Sequence, residues 1–433
     1  MDPGPLRYRP INLGRWVIWG LTAFLFVVLP LVFEQGFART LMSQMAIMIV
    51  FALSYNMLLG QSGMLSFGHA VYSGLGAYFA IHALNMIARG TLPWPVSLLP
   101  LIGGLAGAFF GVIFGYVTTK KAGTPFAMIT LGIGEMVFAA SLMFPGFFGG
   151  EAGINGNRTV GGNFLGIPGL TFGPDLQVYY LIAAWCFACM VAMFALTHTP
   201  LGRMANAVRD NPERAEFIGY NTQRVRWFML ILSGFFAGIA GGLSAINFEI
   251  VTAENVSAIR SGGVLLAAFI GGVAFFFGPI LGAIVFSFFA IALSEYTKAW
   301  QLYLGVFFVL IVMYAPGGLS SLILMNLRVM KFRKFKRLLD PYFGVIVAAL
   351  ALAFGVVLMI EMTYHLTLDI ALGPVVTIFG FPYDTGRPEA WVFAASVVAG
   401  GAIAFEYMRR RFKAEWDQVQ IEIEDWIRDN PED

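Results

Sequence analysis

The sequence predicts an all-α polytopic membrane protein, with ten transmembrane helices in a core and two extra helices near the C-terminus. Hydrophobic residues make up 58% of the 433-residue chain and charged residues only 12%, about half the charged share of a soluble domain. The mean hydropathy is +0.75. Apolar runs of about twenty residues recur, and a helix of that length crosses a hydrocarbon core of roughly 30 Å.

Ten apolar runs predict the helices of the core. The first run follows Arg7, Arg9 and Arg15, as in a signal peptide, but it lacks a small-residue cleavage site and further runs follow it. We therefore interpret it as a retained first span. The ten spans lie near residues 16–33, 40–59, 66–88, 96–118, 125–144, 178–197, 227–247, 261–277, 279–297 and 300–317.

Basic residues predict the orientation of these spans. With residues 1–15 in the cytoplasm, Lys120, Lys121 and the arginines of the 198–226 loop also lie there, as the positive-inside rule requires. The net charge of +2 therefore reports topology and gives no sign of nucleic-acid binding. Spans one to five run opposite to spans six to ten, which permits a 5+5 inverted repeat, although the halves share no convincing identity.

The chain changes character after the core, which covers residues 16–319. Residues 320–342 form a basic cytoplasmic connector, and residues 343–408 contain two additional spans joined by an outside loop. Arginines after the last span hold the far end inside, so both termini are predicted in the cytoplasm.

The last segment, residues 409–433, is an acidic tail. Trp416, Val419, Ile423 and Trp426 share one face of a helix there. Because the negative charge of the tail disfavours anionic lipid, we expect this face to lie on a protein surface or in solvent.

Two series of glycines predict close helix packing. Smooth glycine faces let helix backbones approach each other in lipid. We interpret the series as static packing, with sliding or hinging helices as the alternative. The glycines lie four residues apart and are Gly103, Gly107, Gly111 and Gly115 in the fourth span, and Gly234, Gly238 and Gly242 in the seventh.

The loop between the sixth and seventh spans contains two short predicted helices. Asn211 is suited to cap the second of them, Pro212 to begin it and Gly219 to end it in a left-handed conformation. Apolar residues such as Val208 and Phe217 give the loop a surface that no span covers. That surface predicts either a protein partner or a loop folded back on its own helices.

A polar stretch, "GQSGMLSFGHAVYSGLGAYFA", interrupts the apolar sequence from Gly60 to Ala80. Irregular backbone is tolerated at membrane depth only against protein or a water-filled path. We therefore predict a translocation path or gate, with an ordinary turn and a hydrogen-bonded His69 as the alternative. The candidate residues are Gln61, Ser62, Gly63, Ser66, Phe67, Gly68 and His69, together with Thr130 and Glu135 of the fifth span.

Other isolated charges allow two interpretations each. Glu135 at mid-helix should face a partner, water or the solute route, or else form a buried helix–helix hydrogen bond in its protonated form. Glu249, Glu254, Arg158 and Arg260 lie in or near outside loops, where they would either receive a binding protein or remain solvated. The buried-looking pair Cys186 and Cys189 has no further ligands nearby and predicts packing, with no metal site.

Four motifs, in family order between about Met42 and Leu319, resemble those of one permease family. "YNMLLGQSGMLSFGHAVYSGLGAY", "TPFAMITLGIGEM", "LGRMANAVRDNPERAEFIGYN" and "FIGGVAFFFGPILGAIV" followed by "YAPGGL" are similar to the signatures of the M-subunit (LivM-type) permeases of branched-chain amino-acid ABC importers. Three consecutive phenylalanines in "GGVAFFFGP" and the two extra spans depart from the family pattern.

The resemblance implies a permease of the bacterial inner membrane that works by alternating access on branched-chain amino acids or similar small amino acids, amides or carboxylates. Its implied partners are a sister permease, forming a heterodimer, two cytoplasmic ATPase subunits and a periplasmic solute-binding protein. The chain has no phosphate-binding loop, so ATP and Mg would be bound by the ATPases and this subunit would be non-catalytic. The implied ATPase-coupling residues are Gly202, Arg203, Arg209, Asn211, Glu213, Ala215, Phe217 and Gly219.

Two other function classes compete with an importer permease. An intramembrane enzyme would have to use His69 and Glu135, but the sequence has no catalytic motif around them. An ion-coupled secondary transporter of small solutes would work without an ATPase and would need ion-coupling carboxylates within the membrane.

Overall fold

A computed structural model of the protein describes residues 13–159, 171–368 and 373–429. It confirms the all-α class, because almost every described segment is helical. The helices are α1 Leu13–Val32, α2 Gly36–Ser62, α3 Ala70–Ala88, α4 Leu99–Thr118, α5 Thr124–Met143, α6 Pro145–Phe148, α7 Asp175–Thr197, α8 Pro200–Asp210, α9 Pro212–Phe217, α10 Thr222–Phe248, α11 Ala258–Gly271, α12 Gly278–Ser287, α13 Trp300–Tyr314, α14 Gly318–Lys331, α15 Phe335–Leu368 and α16 Pro388–Asp429.

Short strands form two antiparallel pairs in the described residues. Strands β1 (Ile154–Asn155) and β2 (Ile250–Val251) join the loop before α7 to the loop after α10, with Ile154 opposite Val251. Strands β3 (Val375–Ile378) and β4 (Phe381–Asp384) form a hairpin between α15 and α16.

Nine helical segments in the described ranges are long and apolar enough to cross a membrane, among them Gly278–Glu295, which begins with α12, and they are ten if α13 and α14 form one broken span. Two predicted spans differ from the structure in their bounds. The run at 261–277 is a shorter helix, α11, of 14 residues. The helix ends before Gly272, whose φ of +103° turns the chain toward α12. Likewise, α3 begins at Ala70 and not at residue 66.

The described residues divide into two compact units. The first contains the chain up to Leu293 together with Phe307–Ser320, and the second contains Ser294–Val306 and the chain from Ser321 onward.

In the first unit, α10 packs against α2, α3 and α4 and forms the centre of the core. The two predicted glycine series face each other there. A Cβ added at Gly103 would lie 2.5 Å from the carbonyl oxygen of Gly238 and 3.1 Å from that of Gly76. Three helices therefore meet backbone to backbone, and this glycine junction of Gly76, Gly103 and Gly238 has no room for a methyl group.

The three phenylalanines that depart from the family pattern lie in the turn between α11 and α12. The rings of Phe276 and Phe277 contact the ring of Phe194 on α7, with centroids 5.2 and 6.0 Å apart. In this chain, aromatic packing therefore fills the turn.

In the second unit, α15 and α16 form an antiparallel pair. Val419 and Ile423 of the tail are fully buried against Val329 and Leu338, and Trp426 contacts the ring of Phe332 at 5.2 Å. The surface under the tail is thus the connector of the same chain, and the solvent alternative is wrong for Val419 and Ile423, whereas Trp426 remains 42% exposed.

Ion pairs flank this tail contact. Glu422 accepts hydrogen bonds from Lys334 and from Arg337, the latter at 2.9 Å, and these two cations lower the pKa of Glu422. The folded tail therefore favours the ionised carboxylate. Its contribution to stability is present above the ordinary pKa of glutamate and is lost as the pH falls through the lowered value. Because the groups are solvent-exposed, the contribution is modest and sensitive to salt.

We expect Glu422→Gln to loosen the tail from the connector, because the neutral amide pairs only weakly with the two cations. The measurement is the rate of trypsin cleavage after Lys334 and Arg337 at neutral pH, which should rise several-fold. Glu424→Gln is the matched control, since Glu424 is exposed and on the same helix. Equal rates for the two variants would contradict a role for the ion pairs.

Candidate coupling and translocation site

The predicted coupling loop consists of α8 and α9, and side-chain caps define both helices. Thr199 Oγ1 accepts a hydrogen bond from the Gly202 N–H at 3.3 Å, and Asn211 Oδ1 accepts one from the Arg214 N–H at 2.9 Å. Gly219 follows α9 with a φ of +91°. The two helices, the Asn211 cap and the left-handed glycine are confirmed.

One face of this loop is buried and the other is free. Ala205, Val208 and Ala215 are at most 2% exposed, whereas Phe217 is 89% and Ile218 is 65% exposed. The loop therefore folds back on its own helices through one face and still presents an apolar face to solvent. The folded-back interpretation is confirmed for the buried face, and a partner on the exposed face stays a prediction.

Arg209 connects the loop to the end of α2. Its guanidinium donates to the carbonyl oxygen of Gly60 and, at 2.9 Å, to Asp210 Oδ1. Gly63 has a φ of +66°, and a Cβ added there would lie 2.9 Å from Arg209 Cγ. The predicted coupling residue thus touches the polar stretch in which a path was predicted, although 149 residues separate Arg209 from Gly60.

The remaining coupling residues divide between structure and surface. Gly202 is buried, and a Cβ added there would lie 2.9 Å from Thr197 Cα. Arg203 and Glu213 are exposed, so their side chains are available to another molecule.

The polar stretch forms an ordered link between α2 and α3. Met64 and Ser66 are fully buried, and the Phe67 N–H donates to Thr130 Oγ1 on α5 at 3.2 Å. A Cβ added at Gly68 would lie 3.0 Å from the carbonyl carbon of Thr130. The link therefore holds α5 close to the C-terminal end of α2.

His69 lies inside the helix bundle. Its Nε2 is 3.0 Å from Ser54 Oγ, and its ring lies 5.5 Å from that of Phe51 and 5.2 Å from that of Tyr55. These contacts agree with a hydrogen-bonded packing residue. Gln61 and Ser62 are also buried, and Ser62 Oγ donates to the Met57 carbonyl oxygen at 3.2 Å.

Glu135 occupies an exposed face of α5 and not the interior of the chain. Met128, Gly132 and Met136 share that face and are exposed as well. The buried helix–helix hydrogen bond is therefore wrong within the described residues. Because a carboxylate facing lipid costs about 3 kcal/mol or more, the face needs a partner or water.

Arg158 and Glu249 are not isolated charges in solvent, because both interact with other groups of the chain. The Arg158 side chain is 11% exposed, its Nε donates to the Phe172 carbonyl oxygen at 2.7 Å and its Nη1 lies 3.8 Å from Glu249 Oε2. Nη1 also donates to the Ile246 carbonyl oxygen at 3.1 Å. Arg158 thus links the loop that precedes α7 to the end of α10.

Comparison with known proteins points to one family. A family model described as the permease component of branched-chain amino acid transport systems matches residues 37–316, which include α2 to α13 and the coupling loop. No solved structure matches the chain.

Several characterised permeases are similar to this chain. The high-affinity branched-chain amino acid permease LivM of Escherichia coli is 29% identical over 291 residues, which cover 63% of this chain and 67% of the relative. LivM of Salmonella typhimurium is 28% identical over 294 residues with the same coverage. The fructose import permease FrcC of Rhizobium meliloti is 25% identical over 231 residues, covering 49% of this chain and 61% of the relative.

Proposed function

We propose, because this chain belongs to the family of permease components of branched-chain amino acid transport systems, that it imports branched-chain amino acids or similar small amino acids, amides or carboxylates. The match over residues 37–316 carries this proposal. A fructose permease is among the similar proteins, so the family alone leaves the solute open. The higher identity to two branched-chain amino acid permeases favours an amino acid.

The chain would act as the non-catalytic membrane subunit of the importer in the bacterial inner membrane, with both termini in the cytoplasm. Two ATPase subunits would bind ATP and Mg and would dock on the exposed face of the coupling loop, at Phe217 and Ile218. Exposed Arg203 and Glu213 would add polar contacts at the rim of that interface. A periplasmic binding protein would deliver the solute from the opposite side.

A sister permease would cover the exposed face of α5. Within that interface Glu135 would meet water or a polar group of the partner, which removes the cost of exposing it to lipid. The interface would then border the solute path, with Phe67, Gly68 and Thr130 at its cytoplasmic end.

Alternating access would begin in the coupling loop. Movement of α8 with the ATPases would pull on the carbonyl of Gly60 through Arg209, since the guanidinium joins the two directly. The ordered link after Gly63 would transmit the displacement to α5 through the hydrogen bond to Thr130. A gate near these residues would thus open and close with ATP hydrolysis.

Copurification tests the proposal. We expect ATPase subunits to accompany the wild-type chain from mild detergent, and Phe217→Ala to reduce the amount recovered at least about tenfold, because truncating a central aromatic anchor typically costs 2 kcal/mol or more. Phe37→Ala is the matched control, because Phe37 is also exposed but lies at the N-terminal end of α2, whereas the coupling loop contacts the C-terminal end.

If no ATPase accompanies the wild-type chain and the purified chain alone moves solute under an ion gradient, the protein is a secondary transporter and the proposal is wrong.

A further inference from the structure

A cavity of about 260 Å³ lies in the first unit between α2, α10, α11 and α12. Its wall is largely apolar, with Ile47, Phe51 and Phe286 among the lining side chains. The volume is several times the roughly 30 Å³ that one water molecule occupies. The cavity can therefore admit a molecule of the size of an amino acid.

Arg260 is the only charged residue among those that line this cavity in the described structure. Its Nη1 donates to Asn255 Oδ1 at 3.3 Å, and its guanidinium carbon lies 5.9 Å from the centre of the Phe51 ring. Its Nε is buried and has no hydrogen-bond partner. No carboxylate in the described ranges forms an ion pair with it. Its charge therefore has no counter-ion, and its Nε donor has no acceptor.

The position of Arg260 adds to this cost. It lies in the first turn of α11, after the Ser257 cap, where the helix dipole is positive and disfavours a cation. Charged residues within membrane helices are costly and usually mark a functional site. Arg158 shows the contrast, because that arginine of the same unit is held by carbonyl oxygens and by Glu249.

The side chains that line the cavity indicate which kind of molecule it can bind. A guanidinium binds a carboxylate through two parallel hydrogen bonds, and Nε is one of the donors that such a pair uses. Gln44, Ser244 and Ser287 also line the cavity and carry oxygens that can accept hydrogen bonds from an ammonium group. The apolar wall suits a hydrocarbon side chain.

We propose that Arg260 binds the carboxylate of the transported solute, and that this cavity is a solute site selective for small carboxylates with an apolar side chain. The inference rests on the proposed transport function and adds the group that recognises the solute. It also assigns Arg260 a role within the bundle, where the sequence predicts only an outside-loop charge.

A stability measurement separates a binding residue from a structural one. Arg260→Gln removes an unpaired charge and keeps a polar side chain of similar length. We expect its unfolding temperature without solute to equal or exceed that of the wild type, since binding residues often lower stability. A clear fall would show that the arginine is needed to hold the fold, and would overturn the assignment.

Binding is measured on the purified full-length chain in phosphatidylcholine nanodiscs. Radiolabelled L-leucine, L-alanine and L-glutamate are the probes, and leucinol, which lacks the carboxylate, is the competitor. We expect saturable leucine binding that leucinol does not displace and that Arg260→Gln weakens at least about tenfold, as loss of a hydrogen bond to a charged group predicts. Arg260→Lys should retain part of the affinity.

Arg89→Gln is the matched control, because Arg89 is exposed at the end of α3 and does not line the cavity. It should bind leucine as the wild type does. Equal affinity of Arg260→Gln and the wild type, or no binding of any of the three probes, would overturn the proposal. Arg260-dependent binding of radiolabelled glycerol phosphate, with no binding of leucine, would identify a phosphate as the ligand and would overturn it as well.

The copurification experiment keeps the two proposals apart. If leucine binds through Arg260 but no ATPase accompanies the chain, the carboxylate site stands and the importer proposal fails. If the ATPases accompany the chain and Arg260→Gln binds leucine normally, the importer proposal stands and the carboxylate site fails.

Discussion

Gly103→Ala is expected to lower the free energy of unfolding by about 2–3 kcal/mol, in the upper part of the range for overpacking. The added methyl carbon would lie 2.5 Å from the Gly238 carbonyl oxygen and 3.1 Å from that of Gly76. Both obstacles are backbone atoms of other helices, so α3, α4 and α10 must separate. Close packing is a main source of helix association in lipid, and separation weakens it throughout the junction.

The sign of the change in unfolding free energy distinguishes a steric clash from a simple gain in helix propensity. Alanine raises helix propensity over glycine by about 1 kcal/mol, so a change without a clash should stabilise. Gly20→Ala on α1 provides that control, because nothing lies within 4 Å of a Cβ added there. Unfolding of the purified chain in detergent, followed by tryptophan fluorescence, should separate the two variants. A Gly103→Ala protein as stable as the Gly20→Ala protein would refute the close contact.

Arg209→Gln is expected to reduce ATP-driven uptake at least about tenfold while the ATPases still copurify with the chain. Glutamine is too short to hold the Gly60 carbonyl from the same position, so the loop would still bind its partner but would no longer pull α2. Loss of a charge-assisted hydrogen bond of this kind typically corresponds to 1.5–3 kcal/mol. Uptake and ATP hydrolysis are measured together in reconstituted vesicles, where hydrolysis should continue without transport.

The control for this experiment is Arg214→Gln, which removes the same charge from an exposed site on α9 and should leave uptake within about twofold of the wild type. If Arg209→Gln lost the ATPases as well as uptake, Arg209 would be a docking residue, and the proposed transmission through Gly60 would be wrong.

Local chemistry accounts for what the sequence predicts correctly. An asparagine before a proline begins α9, a glycine ends the turn after it, and apolar runs mark the long helices. Each of these signals acts between residues that are close in the chain. They suffice to find the helices of the coupling loop and most of the spans.

Contacts between distant residues account for what it misses. No sequence pattern indicates that Arg209 contacts Gly60, or that Arg158 contacts the loop around Glu249. Arg260 illustrates a boundary effect, because the predicted span begins at residue 261 and the helix begins at Ala258. Three residues of extra helix bring the arginine from an expected loop into the bundle. Glu135 shows the reverse, since hydropathy identifies a span but does not reveal which of its faces the rest of the chain leaves open.

The length of α16 has a mechanical consequence. Its 42 residues make a rod of about 63 Å, and a hydrocarbon core uses only about 30 Å of it. The polar remainder continues in the same direction without a break. A span tilts more in a thinner bilayer, and a tilt of about 10° would carry the acidic end sideways by about 5 Å at a projection of about 30 Å. The rod therefore converts membrane thickness into the lateral position of a charged surface.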